Sequence, residues 1–91
     1  QVVAVEYPRP GIWSIGFVTA EDVVEVSRRT GQHVKCVFVS TAPNPTSGFI
    51  ILVPEEQLVP LEMSIDSAMK MIVTCGVVLP EPPVAHLPGG P

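Results

Sequence analysis

Positive charge is scarce in this chain of 91 residues, with five Lys and Arg against nine Asp and Glu and a formal net charge of −4. Arg9, Arg28, Arg29, Lys35 and Lys70 form no run and no stripe interleaved with aromatics, which excludes the electrostatic footprint of a nucleic-acid binder. An anionic lipid surface is repelled on average, the adjacent Arg28 and Arg29 being the local exception. Charge of either sign is low, 15% of residues against the roughly 25% usual for a soluble domain. Apolar residues make up 46%. Two readings stay open: a well-filled β core, or a face left for self-association, a partner or a membrane.

Cysteine is nearly absent. Cys36 and Cys75 sit in apolar runs without CxxC spacing or a neighbouring histidine, which predicts two free, buried thiols. Long apolar runs are missing too. None approaches the roughly 20 residues needed to cross a bilayer, so the segment reads as a soluble domain. It begins at Gln1 within an apolar run, with neither initiator Met nor cleavage signal, and reads as a piece of a longer chain. His33 and His86 are the only histidines and no HExxH accompanies them, so no metal site and no cofactor are expected. Ser14, Ser47 and Cys36 lack a GxSxG or similar nucleophile setting, Glu55 and Glu56 read as solvated turn residues, and the phosphate-cradling GxxxxGK[ST] pattern is missing. No enzyme is expected.

What is present is a succession of short β-branched runs. Val2–Tyr7 and Ile12–Val18 read as a hairpin joined through Pro8, Arg9, Pro10 and Gly11. In the second run Trp13, Ile15 and Phe17 alternate with smaller residues and are expected to face the core. Val34–Ser40 and Phe49–Val53 read as strands, the latter (FIILV) apolar on both faces and therefore expected at the centre of a sheet. Leu58–Met63 reads as a further short strand, with Pro60 tolerated at an edge or bulge.

Helical signals are fewer. Glu21–Thr30 mixes strand-forming valines with a capping-box-like Thr19 and Asp22, and reads as a short helix with a Glu25 to Arg29 pair and a stop at Gly31. Ser64–Cys75 shows an apolar face of Ile65, Ala68, Met69 and Ile72, a Ser64 cap, an Asp66 to Lys70 pair and Gly76 after its end. The expected fold is α+β: a mixed or antiparallel sheet of four to five strands, with helix Ser64–Cys75 packed on it and a second short helix at Glu21–Thr30. Residues 1–79 read as one domain. Residues 80–91 hold five of the eleven prolines plus Gly89 and Gly90, and read as a flexible tail.

Two segments stand out as candidate sites. The loop Ala42–Gly48 offers Pro43, Asn44, Pro45, Thr46, Ser47 and Gly48. Either the Thr46, Ser47 and Gly48 backbone N–H groups form an anion-binding nest with Asn44 orienting a ligand, or the polar groups bond the loop's own backbone. Tyr7, Arg9 and Trp13 place a guanidinium between two aromatics. That combination suits either an interface anchor or a turn with a solvated Arg and a core Trp.

The segments YPRPGIWSIGFVT, VFVSTAPNPTSGFIILVPEE and LEMSIDSAMKMIVTCGVVLPE, in that order, resemble the uncharacterised membrane-protein family known as domain of unknown function 502, which includes the plant LIKE COV (continuous vascular ring) proteins. The resemblance covers most of residues 5–81, and PNPTSG followed by an apolar strand and VP is its most specific part. Ser40 and Ala42 depart from the family's usual VFVPTTPNPTSG. The resemblance implies two membrane-spanning helices upstream, and residence in the bacterial inner membrane or a plant Golgi-type membrane. It implies a role in vascular patterning or protein sorting and no enzyme activity. The expected function is interaction at the membrane, with a second copy or another membrane protein as partner. The alternative is a ligand-sensing or transport-regulating domain that binds a small anion or lipid headgroup at Ala42–Gly48.

Overall fold

The computed structural model describes residues 1–80. Five strands and two helices follow one another as β1 (Val2–Glu6), β2 (Trp13–Ala20), α1 (Val24–Thr30), β3 (Val34–Thr41), β4 (Asn44–Pro54), β5 (Val59–Pro60) and α2 (Ile65–Val73), with a single 3-10 turn at Glu55–Gln57. The strands form one antiparallel sheet in the order β4-β3-β2-β1-β5, which makes the fold α+β as expected. The tail expected over 80–91 lies, apart from Pro80, outside the described residues.

Directly opposed residues share a face of a sheet, and the register therefore sorts the side chains. Val3, Val5, Val37, Val39 and Val53 form the buried cluster, with Tyr7, Val18, Ile51 and Leu58 against it. Gly16 and Ser14 lie opposite Val3 and Val5, on that same enclosed face. The other face carries Ala4, Trp13, Ile15, Phe17, Cys36, Phe38, Ile50 and Leu52. The sequence expectation for β2 is thus reversed: Trp13, Ile15 and Phe17 point away from the core and Trp13 is 55% exposed.

Curvature explains the reversal. Strands β1 and β4 stand three spacings apart, roughly 14 Å in a flat sheet, yet the rings of Tyr7 and Phe49 lie with centroids 5.5 Å apart. The sheet curls toward its enclosed face, where Tyr7 and Phe49 meet beside the valines, and along β2 that face takes Ser14 and Gly16 but leaves no room for a row of aromatics. At Gly16 a Cβ would overlap Cγ1 of the fully buried Val37 and sit 3.3 Å from the Phe38 carbonyl oxygen.

FIILV is the second correction. It forms the C-terminal half of β4, and β4 is an edge strand rather than a central one. The short strand β5 occupies the opposite edge, where Pro60 is tolerated because nothing pairs beyond it.

The helices keep their expected stops but lose some expected pairs. Gly31 ends α1 in the left-handed region at φ 72. Val23 begins α1 with no side-chain cap; Asp22 instead accepts a hydrogen bond from Ser27 Oγ at 2.6 Å, and Ser27 Oγ accepts from Val34 N at 2.9 Å. The helix is thereby tied to β3. Ser64 caps α2 by accepting from Ser67 N at 3.1 Å, as the sequence predicts. α2 lies against β4 with Ala68 its buried side chain. It ends at Val73, before Cys75 and Gly76, both at positive φ. Neither Glu25 with Arg29 nor Asp66 with Lys70 is among the ion pairs of the described residues. Both cysteines are free, yet neither is buried: Cys36 is half-buried and Cys75 exposed.

Candidate functional site

The PNPTSG segment is shorter as a loop than its prolines predict. Only Ala42 and Pro43, joined by a cis peptide, lie between β3 and β4, and Asn44 already pairs with Thr41. Its polar groups close on one another. Asn44 Oδ1 accepts from Thr46 N at 3.0 Å and from Thr46 Oγ1 at 2.7 Å. Ser40 Oγ donates to the Pro45 carbonyl at 2.9 Å and Thr41 Oγ1 to the Ser47 carbonyl at 3.1 Å. Gly48 stands opposite Ser40 in the ladder. Of the three N–H groups considered for an anion nest, that of Thr46 is therefore engaged by Asn44. This geometry stiffens a hairpin tip whose prolines leave strand N–H groups unmade.

Tyr7, Arg9 and Trp13 separate in space. Tyr7 packs on Phe49 at the enclosed face, while Trp13 lies across from Glu6 on the outer face. Arg9 is exposed at the turn, which is held by Gly11 N donating to Glu6 Oε2 at 2.9 Å and Ser14 Oγ donating to the Tyr7 carbonyl at 2.9 Å.

A polar clasp not foreseen from sequence joins three segments. Lys35 Nζ lies 2.9 Å from Glu21 Oε1 and 3.6 Å from Glu55 Oε1. His33 Nδ1 is 2.9 Å from Glu55 Oε1, and its Nε2 is 2.8 Å from the Glu21 carbonyl oxygen. The clasp fastens the β2 to α1 connection, the start of β3 and the turn after β4. It holds no nucleophile. Among the described residues no group of three or more His, Cys, Asp and Glu stands close enough to hold a metal ion.

The clasp carries a pH signature. The hydrogen bond and charge of Lys35 hold the Glu21 carboxyl below its ordinary value, and the hydrogen bond from Glu21 raises the Lys35 ammonium against its partial desolvation. A lowered carboxylate stabilises the fold above its unfolded value and stops doing so as pH falls through the folded one. A raised ammonium stabilises below its unfolded value and stops as pH rises through the folded one. Thermal midpoints of the native chain and of Lys35→Met are therefore expected to differ most from about pH 6 to about pH 9, and to converge below about pH 4 and above about pH 11. A pH-independent difference would mean that Lys35 acts by packing alone.

The outer face is the largest unclaimed feature. The register sets Val2, Phe17, Phe38 and Ile50 in one row across four strands, with Ile15, Trp13 and Leu52 beside it; Val2 is buried, Ile15, Phe17 and Phe38 are half-buried, and the exposed members are Trp13, Ile50 and Leu52. Ile50 is 60% exposed, Leu52 44%. Glu6 is its one charged strand residue. The alternation in β2 and the two-sided FIILV run were both visible in the sequence, but not that they would meet on the face away from the buried valine cluster. Such a surface can bury apolar area against a partner. No helix among the described residues is long and apolar enough to cross a membrane.

No curated protein and no solved structure matches the chain. One family profile does match, described as a protein of unknown function (DUF502), over residues 1–47. This span takes in the first hairpin, α1, β3 and the start of β4 as far as Ser47. The chain, matched from the first hairpin into the tied tip of the β3–β4 hairpin, belongs to the DUF502 family of proteins of unknown function.

Proposed function

We propose that this domain is an interaction module that receives a protein partner on the outer face of its sheet. The supporting observation is the reversal of side-chain size along β2: Ser14 and Gly16 lie on the enclosed face with the buried valines, while Trp13, together with Ile50 and Leu52 of β4, stands exposed on the other. Scattered apolar residues at a surface are ordinary, but a row across neighbouring strands is the mark of an interface. We place this interaction beside a membrane because the ordered PNPTSG-containing segments resemble a membrane-protein family. The acidic balance of the chain favours a protein rather than an anionic lipid surface as the direct contact.

A photo-cross-linking residue at Leu52 in the whole protein, in its own membrane, tests the reading. Protein adducts are expected there and not at Arg28, which is exposed on α1. Lipid adducts alone, or protein adducts of equal yield at both positions, would refute it. Anion binding at Ala42–Gly48 has weaker support, since Asn44 and Thr46 already engage each other.

A further inference from the structure

We propose that the partner is a second copy of this chain, and that the two copies join through β4, antiparallel, about a two-fold axis at Ile51. The inference rests on the interaction reading above and names its partner. Its first support is a mismatch between pattern and position. From Asn44 to Pro54 the strand carries no charged side chain, and FIILV is apolar on both faces, the pattern of a strand paired on both sides. Yet β4 is an edge. Natural edges are blunted by charge, shortness or a bulge that turns them away. This one is 11 residues long, with its register shift confined to the hairpin tip at Ser40 and Thr41. Although α2 touches β4, no backbone hydrogen bond joins them among the described residues.

The required occupant is an uncharged extended strand, and β4 itself is one. Centred at Ile51, antiparallel pairing sets Phe49 opposite Val53 and Ile50 opposite Leu52, so apolar residues meet throughout FIILV. Glu55 and Glu56 of each copy then fall opposite Ser47 and Thr46 of the other, and no carboxylate faces a carboxylate. The outer rows of the two sheets become continuous through Ile50 and Leu52, which explains why those side chains are large and exposed in one copy. In the joined sheet β4 occupies the central position that its composition fits.

The test uses the 91-residue chain with Cys36→Ser and Cys75→Ser, both free and neither buried. Added to this background separately, Ile50→Cys and Leu52→Cys variants are expected to form a disulfide with each other when mixed and mildly oxidised, and neither with itself. Opposed residues lie about 4.5–5.5 Å apart and diagonal ones about 7–8 Å, beyond disulfide reach. Light scattering of the native chain is expected to show dimers that dissociate on dilution. Ile50→Lys, whose effect the two-fold axis doubles, is expected to weaken them roughly a hundredfold or more with the circular dichroism spectrum unchanged. A native chain that stays monomeric at every concentration, or self-linked products as abundant as the mixed one, would overturn the proposal. If the Leu52 cross-linker in the whole protein captures only a different protein, the second copy is wrong and the interaction reading stands.

Discussion

Gly48→Ala is expected to detach the tip of the β3–β4 hairpin and to remove about 3 kcal/mol of stability, the upper part of the range for overpacking. The added methyl would overlap the Val39 carbonyl oxygen, with the carbonyl carbon at 2.9 Å and Phe38 Cζ at 3.0 Å. These obstacles are mostly backbone. Ser40 and Gly48 are the last regular pair of β3 with β4 before the register shifts at Thr41, so moving the carbonyl breaks the opposition that anchors the tip. Replacing glycine in a strand gains about 0.5–1 kcal/mol through the unfolded chain, too little to offset the clash. Amide hydrogen exchange at Ser40, Thr41 and Ser47, together with the urea midpoint, reads both parts. If exchange stays slow and the midpoint does not fall, the steric account is wrong.

Gly16→Ala is expected to cost about 1–2 kcal/mol for a related reason with a different obstacle. Here the methyl meets a side chain, Cγ1 of Val37, with Val39 Cγ2 at 3.7 Å and the Phe38 carbonyl oxygen at 3.3 Å. A valine has few staggered alternatives, and Val37 is fully buried among Val3, Val5, Val39 and Val53. Because the obstacle is one side chain, it can be removed. Val37→Ala alone should destabilise by leaving a void, but in that background Gly16→Ala should be neutral or stabilising, the methyl filling space that the valine left. A double-mutant cycle by urea denaturation measures the coupling. Additive effects would show that the two positions do not share the space.

The contrast between these glycines shows what sequence reasoning reached. The first hairpin, β3, FIILV, both helices and the α+β class follow from β-branched runs, turn residues, Ser64 and Gly31. Alternation in β2 identifies two sets of side chains, Trp13, Ile15 and Phe17 against Ser14, Gly16 and Val18. It does not say which set the sheet curls around. Ranking by size gives the wrong answer because the curl, visible in the Tyr7 and Phe49 contact, leaves the enclosed face too narrow. FIILV looks central because its two apolar faces say nothing about how many neighbours the strand has. Asn44–Gly48 reads as loop because proline and hydroxyl residues favour turns, whereas Ser40, Thr41 and Asn44 bind those residues into a strand. The clasp has no local signature, since Glu21, His33, Lys35 and Glu55 come together only after the sheet forms.

The two-residue strand β5 has one more consequence. It presents a row too short to template another chain, and one of its two residues is Pro60, which has no N–H to offer. The sheet therefore has a single adhesive end. Joining of β4 to β4 consumes that end in both copies and leaves only the β5 ends outward, so association through this sheet terminates at two instead of propagating into a fibre.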